Sequence, residues 1–254
     1  MATRVYKGKN MGFSTTDDQV LLEQASLTWR SSLDGFWALL PISMFVMGFG
    51  AAFGLAAVQS GLSDGTVLAM SVFMFAGAAQ FAVLDMWGEQ IPLIPVLVTV
   101  FAINARHLLM GATLYPWLQC LTPRKRYGSM ILVSDANWAM AMQAFGRKTH
   151  GLGIVLGGGV ALWLMWWVGT LIGVLFGGAI SSPSQYGLDM VMGCFLLSML
   201  LNGQKNSRVL GLWVVAGIAS LLAYWYLPQN SHVVVGAIAG GIAGVIWPEG
   251  ESND

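Results

Sequence analysis

Beyond residue 33 the chain is a succession of apolar blocks divided by short polar interruptions, and most blocks approach the roughly 20 residues a helix needs to cross a bilayer. The first runs from Gly35 to Gln59, the second from Thr66 to Trp87 and the third from Pro92 to Leu118. A fourth, Tyr127 to Phe145, is weaker because it carries Asp135 and Asn137. The fifth spans Leu152 to Gly178, the sixth Leu188 to Leu201, the seventh Val209 to Leu227 and the eighth Val233 to Trp247. The pattern predicts an all-α polytopic membrane protein with about seven to eight segments, some broken or re-entrant. Residues 1–33 read as a polar tail, with a short amphipathic helix around Val20 to Trp29. Residues 34–248 read as one transmembrane domain and residues 249–254 as a second polar tail.

Composition agrees with that pattern: 56% of the 254 residues are hydrophobic, 9% are charged and the mean hydropathy is +0.66. Soluble domains carry about 25% charged residues. The formal net charge is zero, which gives no reason to expect a nucleic-acid partner. Cys120 and Cys194 lie in or beside apolar blocks without metal-ligand spacing, and read as free thiols. The polar first 33 residues lack the apolar core and cleavage site of a signal peptide.

Glycine spacing predicts how the segments pack. Gly169, Gly173 and Gly177 recur every fourth residue, as do Gly236, Gly240 and Gly244, and Gly50 pairs with Gly54. That interval puts small residues on one helical face and lets a neighbouring backbone come close. The run Gly151 to Gly157 does not match a phosphate-binding loop and opens an apolar helix with no strand before it.

Orientation stays open. Arg147, Lys148, Lys205 and Arg208 fit a cytoplasmic position if the fifth to eighth blocks each cross once. Arg4, Lys7, Lys9 and Arg30 cannot then share that side with Arg124, Lys125 and Arg126 if the first three blocks also cross. Either the fourth block crosses and the Arg124 cluster breaks the rule, or the fourth is re-entrant and the tail lies outside. A weak likeness between Gly48–Gly54 and Leu171–Gly177 suggests a repeat, inverted if the fourth block does not cross.

Candidate chemistry lies in three places. Of the twelve Lys and Arg residues, Arg106 alone falls inside an apolar block, at an insertion cost of roughly 3 kcal/mol at a helix centre. A structural arginine held by carbonyls and a carboxylate is one explanation. Asn104 and His107 beside it favour a ligand or proton pathway, because intramembrane charges are usually functional. In the second block, small residues from Gly77 precede Gln80, and Asp85 follows. Glycine there permits either a helix break that bares backbone groups or a close-packing face. In the fourth block, Ser134-Asp135-Ala136-Asn137 supplies an acid away from the loops. Asp85 or Asp135 is the counter-ion expected for Arg106, and Asp85, His107 and Asp135 are the proton-coupling candidates.

Gly77-Ala78-Ala79-Gln80-Phe81, Asn104-Ala105-Arg106-His107 with the following Leu-Leu-Met-Gly-Ala-Thr-Leu-Tyr-Pro, and Ser134-Asp135 occur in this order in a hydrophobic chain of this length. In these blocks, over about Asp34 to Leu201, the chain resembles the AzlC family of branched-chain amino acid exporters. The resemblance implies export of valine, leucine, isoleucine and often methionine across the cytoplasmic membrane, by a large subunit working with a small hydrophobic AzlD-type membrane partner.

Such a substrate suits the residues present. A zwitterion needs a cationic or N–H-rich place for its carboxylate, an acceptor for its ammonium and an apolar pocket. Arg106, or amides near Gly77 to Gln80, suit the first; Asp85 or Asp135 with Asn104 suits the second. Met74, Phe75 and Met110 are pocket candidates, and Gly77, Gln80, Asn104, Arg106, His107, Asp135 and Asn137 together form the expected substrate site. No cofactor or metal is expected. Enzyme motifs such as H-E-x-x-H and G-x-S-x-G are absent, and His150 and His232 fall in loops. A channel, or a scaffold subunit serving only its partner, is the alternative class.

Overall fold

The computed structural model describes residues 21–22, 24–84, 86–88, 91–177, 190, 207–227 and 231–247. All regular structure among them is helical. Helix α1 spans Trp29–Gln59, and its first turn is capped by Thr28, whose hydroxyl accepts from the Ser31 N–H at 3.1 Å. The cap stops the expected Val20–Trp29 helix from running on: Leu21, Leu22 and Gln24 are helical, but residues 26–28 are not.

The second block is not one helix. It forms α2 (Asp64–Phe73) and α3 (Gly77–Leu84), with Met74–Ala76 non-helical between them. The third forms α4 (Leu93–Asn104) and α5 (Arg106–Leu118), separated by a single turn residue, Ala105. The fourth also divides, into α6 (Pro123–Ile131) and α7 (Asp135–Gly146), around Leu132–Ser134. Helix α8 opens as Gly151–Gly153, passes through a π-helical turn at Ile154–Gly158 and continues as Gly159–Gly177. Helices α9 (Ser207–Tyr226) and α10 (Ser231–Ile246) match the last two blocks, while the sixth, Leu188 to Leu201, lies outside the described residues. Among the described residues four helical spans have the length and apolarity to cross a membrane: Trp29–Gln59, Leu93–Leu118, Gly151–Phe176 and Ser207–Tyr226.

The chain divides into two compact units, Met1–Gly77 with Arg106–Ile180, and Ala78–Ala105 with Ser181–Asp254. In the first unit α1 and α8 pack along their whole lengths. A Cβ at Gly50 would fall on the Trp166 carbonyl, at Gly54 on that of Thr170, at Gly169 on that of Met47 and at Gly173 on that of Ala51. Gly35 likewise abuts Gly153, and Gly157 abuts Ser32. The predicted small-residue seam is therefore backbone against backbone. Residue numbers rise together along it, so α1 and α8 run parallel. The inverted repeat expected from the Gly48–Gly54 and Leu171–Gly177 likeness does not hold for these two helices, since inversion makes counterparts antiparallel.

Helices α5, α6 and α7 form a second layer. The α5 and α7 helices point the same way: Arg106 pairs with Asp135 at their starts, Trp138 Nε1 donates to Thr113 Oγ1 at 2.9 Å further along, and Trp117 stacks on Phe145 at 3.8 Å near their ends. Helix α6 returns between them, with Arg126 donating to the Leu118 and Gln119 carbonyls at one end and Met130 meeting Gly111 at the other. The α6–α7 pair thus enters and leaves at one end of the unit, as a helical hairpin. Its core is a cluster of Met110, Leu114, Leu118, Val133, Ala141, Phe145, Leu152 and Val155 with Ala25.

The N-terminal segment closes that same end. Gln24 is 4% exposed, donates to the Phe145 carbonyl at 2.9 Å and accepts from Trp117 Nε1 at 2.9 Å, while Ser26 Oγ meets His150 Nδ1 at 3.0 Å. Helix α1 leaves this end and α5 comes back to it. The described part of the tail, from Gln24, shares an end with the Arg124 cluster, which three successive crossings would not allow.

In the second unit α9 and α10 are antiparallel, with Gly236, Gly240 and Gly244 facing Ser220, Ala216 and Leu212. Arg208 Nε and Nη2 donate to the Trp247 and Gly244 carbonyls at 2.5 and 3.0 Å, capping the end of α10.

Candidate functional site

The intramembrane arginine has a counter-ion. Arg106 Nη1 lies 2.5 Å from Asp135 Oδ2, each side chain being about one-third exposed in the isolated chain. Both residues begin helices, α5 and α7, and Asp135 sits in the first turn, where a carboxylate complements the helix dipole. Arg106 lies about 18 Å of helix rise from the Leu118 end of Leu93–Leu118, a span long and apolar enough to cross a membrane. The pair removes a net charge from that depth. It uses one edge of the guanidinium only: Nε is buried and has no hydrogen-bond acceptor among the described residues. An arginine fork that retains a free edge is suited to a second carboxylate.

The Asn137 amide is engaged by the chain itself. Its side chain is 0% exposed; Oδ1 accepts from the Ser134 N–H at 2.7 Å and the Ser134 hydroxyl at 3.3 Å, and Nδ2 donates to the Leu132 carbonyl at 2.7 Å and the Val155 carbonyl at 2.8 Å. The Val155 carbonyl, in the π-helical turn, accepts from both the Gly159 N–H and Asn137 Nδ2. One amide therefore satisfies both limbs of the hairpin tip and ties the tip to α8.

The break in the second block is anchored on α8 by three side chains. Ser71 Oγ meets Thr170 Oγ1 at 2.9 Å, and Trp163 Nε1 donates to the Val72 carbonyl at 3.1 Å. A Cβ on Gly77 would meet the Trp166 indole at 2.7 Å, and that indole stacks on Phe53 at 5.8 Å. Gly77 thus borders a genuine break and packs closely as well. Residues 163, 166 and 170 share one face of α8.

Of the remaining expected site residues, His107 is half-buried in the first turn of α5. Gln80 and Asn104 belong to the second unit: Asn104 ends α4, and Gln80, in α3, is 0% exposed with neither amide atom hydrogen-bonded among the described residues. Asp85 lies outside the described residues, so of the two aspartates proposed for Arg106 the structure pairs Asp135 with it. The described residues hold no cluster of three or more His, Cys, Asp or Glu side chains of the kind that binds a metal.

Residues 41–180 match the family described as AzlC protein, more than half of the chain. The chain belongs to the AzlC family. Its matched region contains the second half of α1 and all of α2 through α8, including the Arg106–Asp135 pair and the Asn137 tie. The chain is similar to the inner membrane protein YgaZ of Escherichia coli K12, with 28% identity over 84% of this chain and 80% of that protein. It is also 28% identical to an uncharacterized membrane protein of Archaeoglobus fulgidus, over 80% of this chain and 88% of that one. An uncharacterized membrane protein of Helicobacter pylori J99 is 23% identical over 73% of this chain and 82% of its own length. No solved structure matches the chain. AzlC membership, with membrane-length apolar helices, makes this an integral membrane protein and points to transport rather than to enzyme chemistry.

Proposed function

We propose that the chain is the large subunit of a two-component secondary transporter that exports valine, leucine, isoleucine and methionine, working with a small AzlD-type membrane partner. The observation that supports this reading is the Arg106–Asp135 pair at the start of two half-length helices, with the guanidinium Nε edge uncommitted. An amino-acid carboxylate would take that edge, and its ammonium would be drawn to Asp135. Protonation of Asp135 would free Arg106 entirely, so a proton moving the opposite way is a natural driving ion. One methylene more or less is worth only about 1 to 3 kcal/mol in an apolar pocket, which fits a carrier of several branched side chains.

The test uses cells that cannot export these amino acids, loaded with a valine- or methionine-containing dipeptide and expressing the chain with its partner. Export should appear, saturate with internal amino acid, and be lost in Arg106→Gln at unchanged membrane content. Conductance without saturation would favour a channel, and no relief of the accumulated amino acid would overturn the reading.

Sidedness follows from charge. Arg30, Arg124, Lys125, Arg126, Arg147 and Lys148 lie toward the closed end of the first unit, whereas the loop Ser60–Ser63 at the far end of α1 has no basic residue. Excess Lys and Arg mark the cytoplasmic face, so the N-terminal segment and both ends of the hairpin belong inside. With the native cysteines replaced by serine, Ser60→Cys should react with an impermeant maleimide in intact cells and Lys125→Cys should not. The reverse pattern would invert the molecule.

A further inference from the structure

We propose that Asn137 is a positioning residue, the tie that sets Asp135 opposite Arg106, and that it does not itself touch the transported molecule. The inference rests on the reading of Arg106 and Asp135 as the substrate site. Asn137 stands two residues after Asp135, and its four hydrogen bonds occupy both donor protons and both acceptor positions of the amide. Nothing remains on it for a ligand. All four partners flank an irregularity of the chain: Ser134 and Leu132 border the hairpin tip, and Val155 belongs to the π-helical turn.

The glycines around the tie fit the same role. A Cβ at Gly159 would meet the Leu132 carbonyl oxygen at 2.5 Å and Asn137 Nδ2 at 2.9 Å, and one at Gly158 would meet Leu39 at 2.8 Å. The tip therefore sits directly on the α8 backbone, with no room for even a methyl group. Asp135 is held by a rigid support of main-chain groups, which explains how a short irregular tip can keep one carboxylate at hydrogen-bonding distance from a guanidinium on another helix.

Two perturbations that share no chemistry, Asn137→Ala and Gly159→Ala, should have the same consequence. The readout independent of transport is cross-linking, by a short bis-methanethiosulfonate, of Arg106→Cys with Asp135→Cys in the full chain lacking Cys120 and Cys194. Cross-linking should be efficient with Asn137 and Gly159 intact. It should fall by about tenfold in either variant at equal amounts of monodisperse membrane protein, since a shift of about 1 Å is enough to disrupt aligned groups. Unchanged cross-linking in both variants overturns the proposal. So does failure of both to yield monodisperse protein, which would make Asn137 a folding residue only. In the transport assay, Asn137→Ala should add little to the loss already caused by Asp135→Asn, because the two act through one group. Fully additive losses would mean an independent substrate contact and also overturn it. If the wild-type chain moves no amino acid, the substrate reading fails while the cross-linking result still decides the role of Asn137.

Discussion

Gln80 and Asn137 carry the same functional group, and both are sealed at 0% exposure, one in each unit. Their surroundings are opposite. Every polar atom of the Asn137 amide is hydrogen-bonded to the hairpin tip or to α8, whereas neither atom of the Gln80 amide has a partner among the described residues. Leaving a buried polar group unsatisfied costs about 1 to 3 kcal/mol. A leucine would fill the same space as Gln80 without that cost. The difference separates two meanings of a buried polar residue: the satisfied amide specifies a chain conformation, and the unsatisfied one we propose as a contact for the transported solute.

Leucine substitution at the two positions is the sharpest way to break this contrast. Asn137→Leu removes a hydrogen-bond partner from the Leu132 and Val155 carbonyls and the Ser134 N–H, and should destabilise the purified chain by on the order of 3 kcal/mol while still letting it accumulate. Gln80→Leu should melt at or slightly above the wild-type temperature, because replacing an unpaired polar group by an apolar one of similar shape is neutral or stabilising. Export of valine and methionine should nonetheless fall by about tenfold or more in Gln80→Leu, if its amide serves the transported solute. Thermal melting in detergent and the dipeptide-loading assay read the two halves. Equal destabilisation by both substitutions would erase the distinction.

How much of this was legible beforehand follows from which forces leave a mark in sequence. Apolar length located α8, α9 and α10 to within two residues and α1 to within six, and glycine spacing marked the faces that meet in the α1–α8 seam without pairing them, because burial and close approach act on composition. Arg106 and Asp135 stood out as charges in apolar blocks, and their pairing was one of two options. The break before Gly77 was one of two options and those at Ala105 and Leu132–Ser134 were not located, since helix interruption in a membrane depends on tertiary partners such as Trp163 and Asn137. Ser134 and Asn137, three apart at a helix start, did carry a capping signal. It was read as ligand chemistry because the tie to Val155 is long-range. The course of α1 relative to α8 stayed open, because it turned on whether the fourth block crosses.

A smaller version of the same comparison lies in the two glycine seams. At Gly169 a methyl group would land on the Met47 carbonyl, which cannot move without shifting α1, and Gly173 is equally tight against Ala51. At Gly240 the nearest atom to an added Cβ is the Ala216 methyl, at 3.2 Å. Gly169→Ala should therefore destabilise by about 1 to 3 kcal/mol through overpacking. Gly240→Ala needs its neighbour to yield only a few tenths of an ångström, and alanine gains up to about 1 kcal/mol over glycine within a helix. The net change there should be within about 1 kcal/mol of zero. Melting temperatures of the two single variants, taken side by side, measure the difference. If Gly240→Ala proved as damaging as Gly169→Ala, the α9–α10 contact would be as intolerant as the α1–α8 seam, and glycine spacing alone would suffice to rank how closely two membrane helices approach.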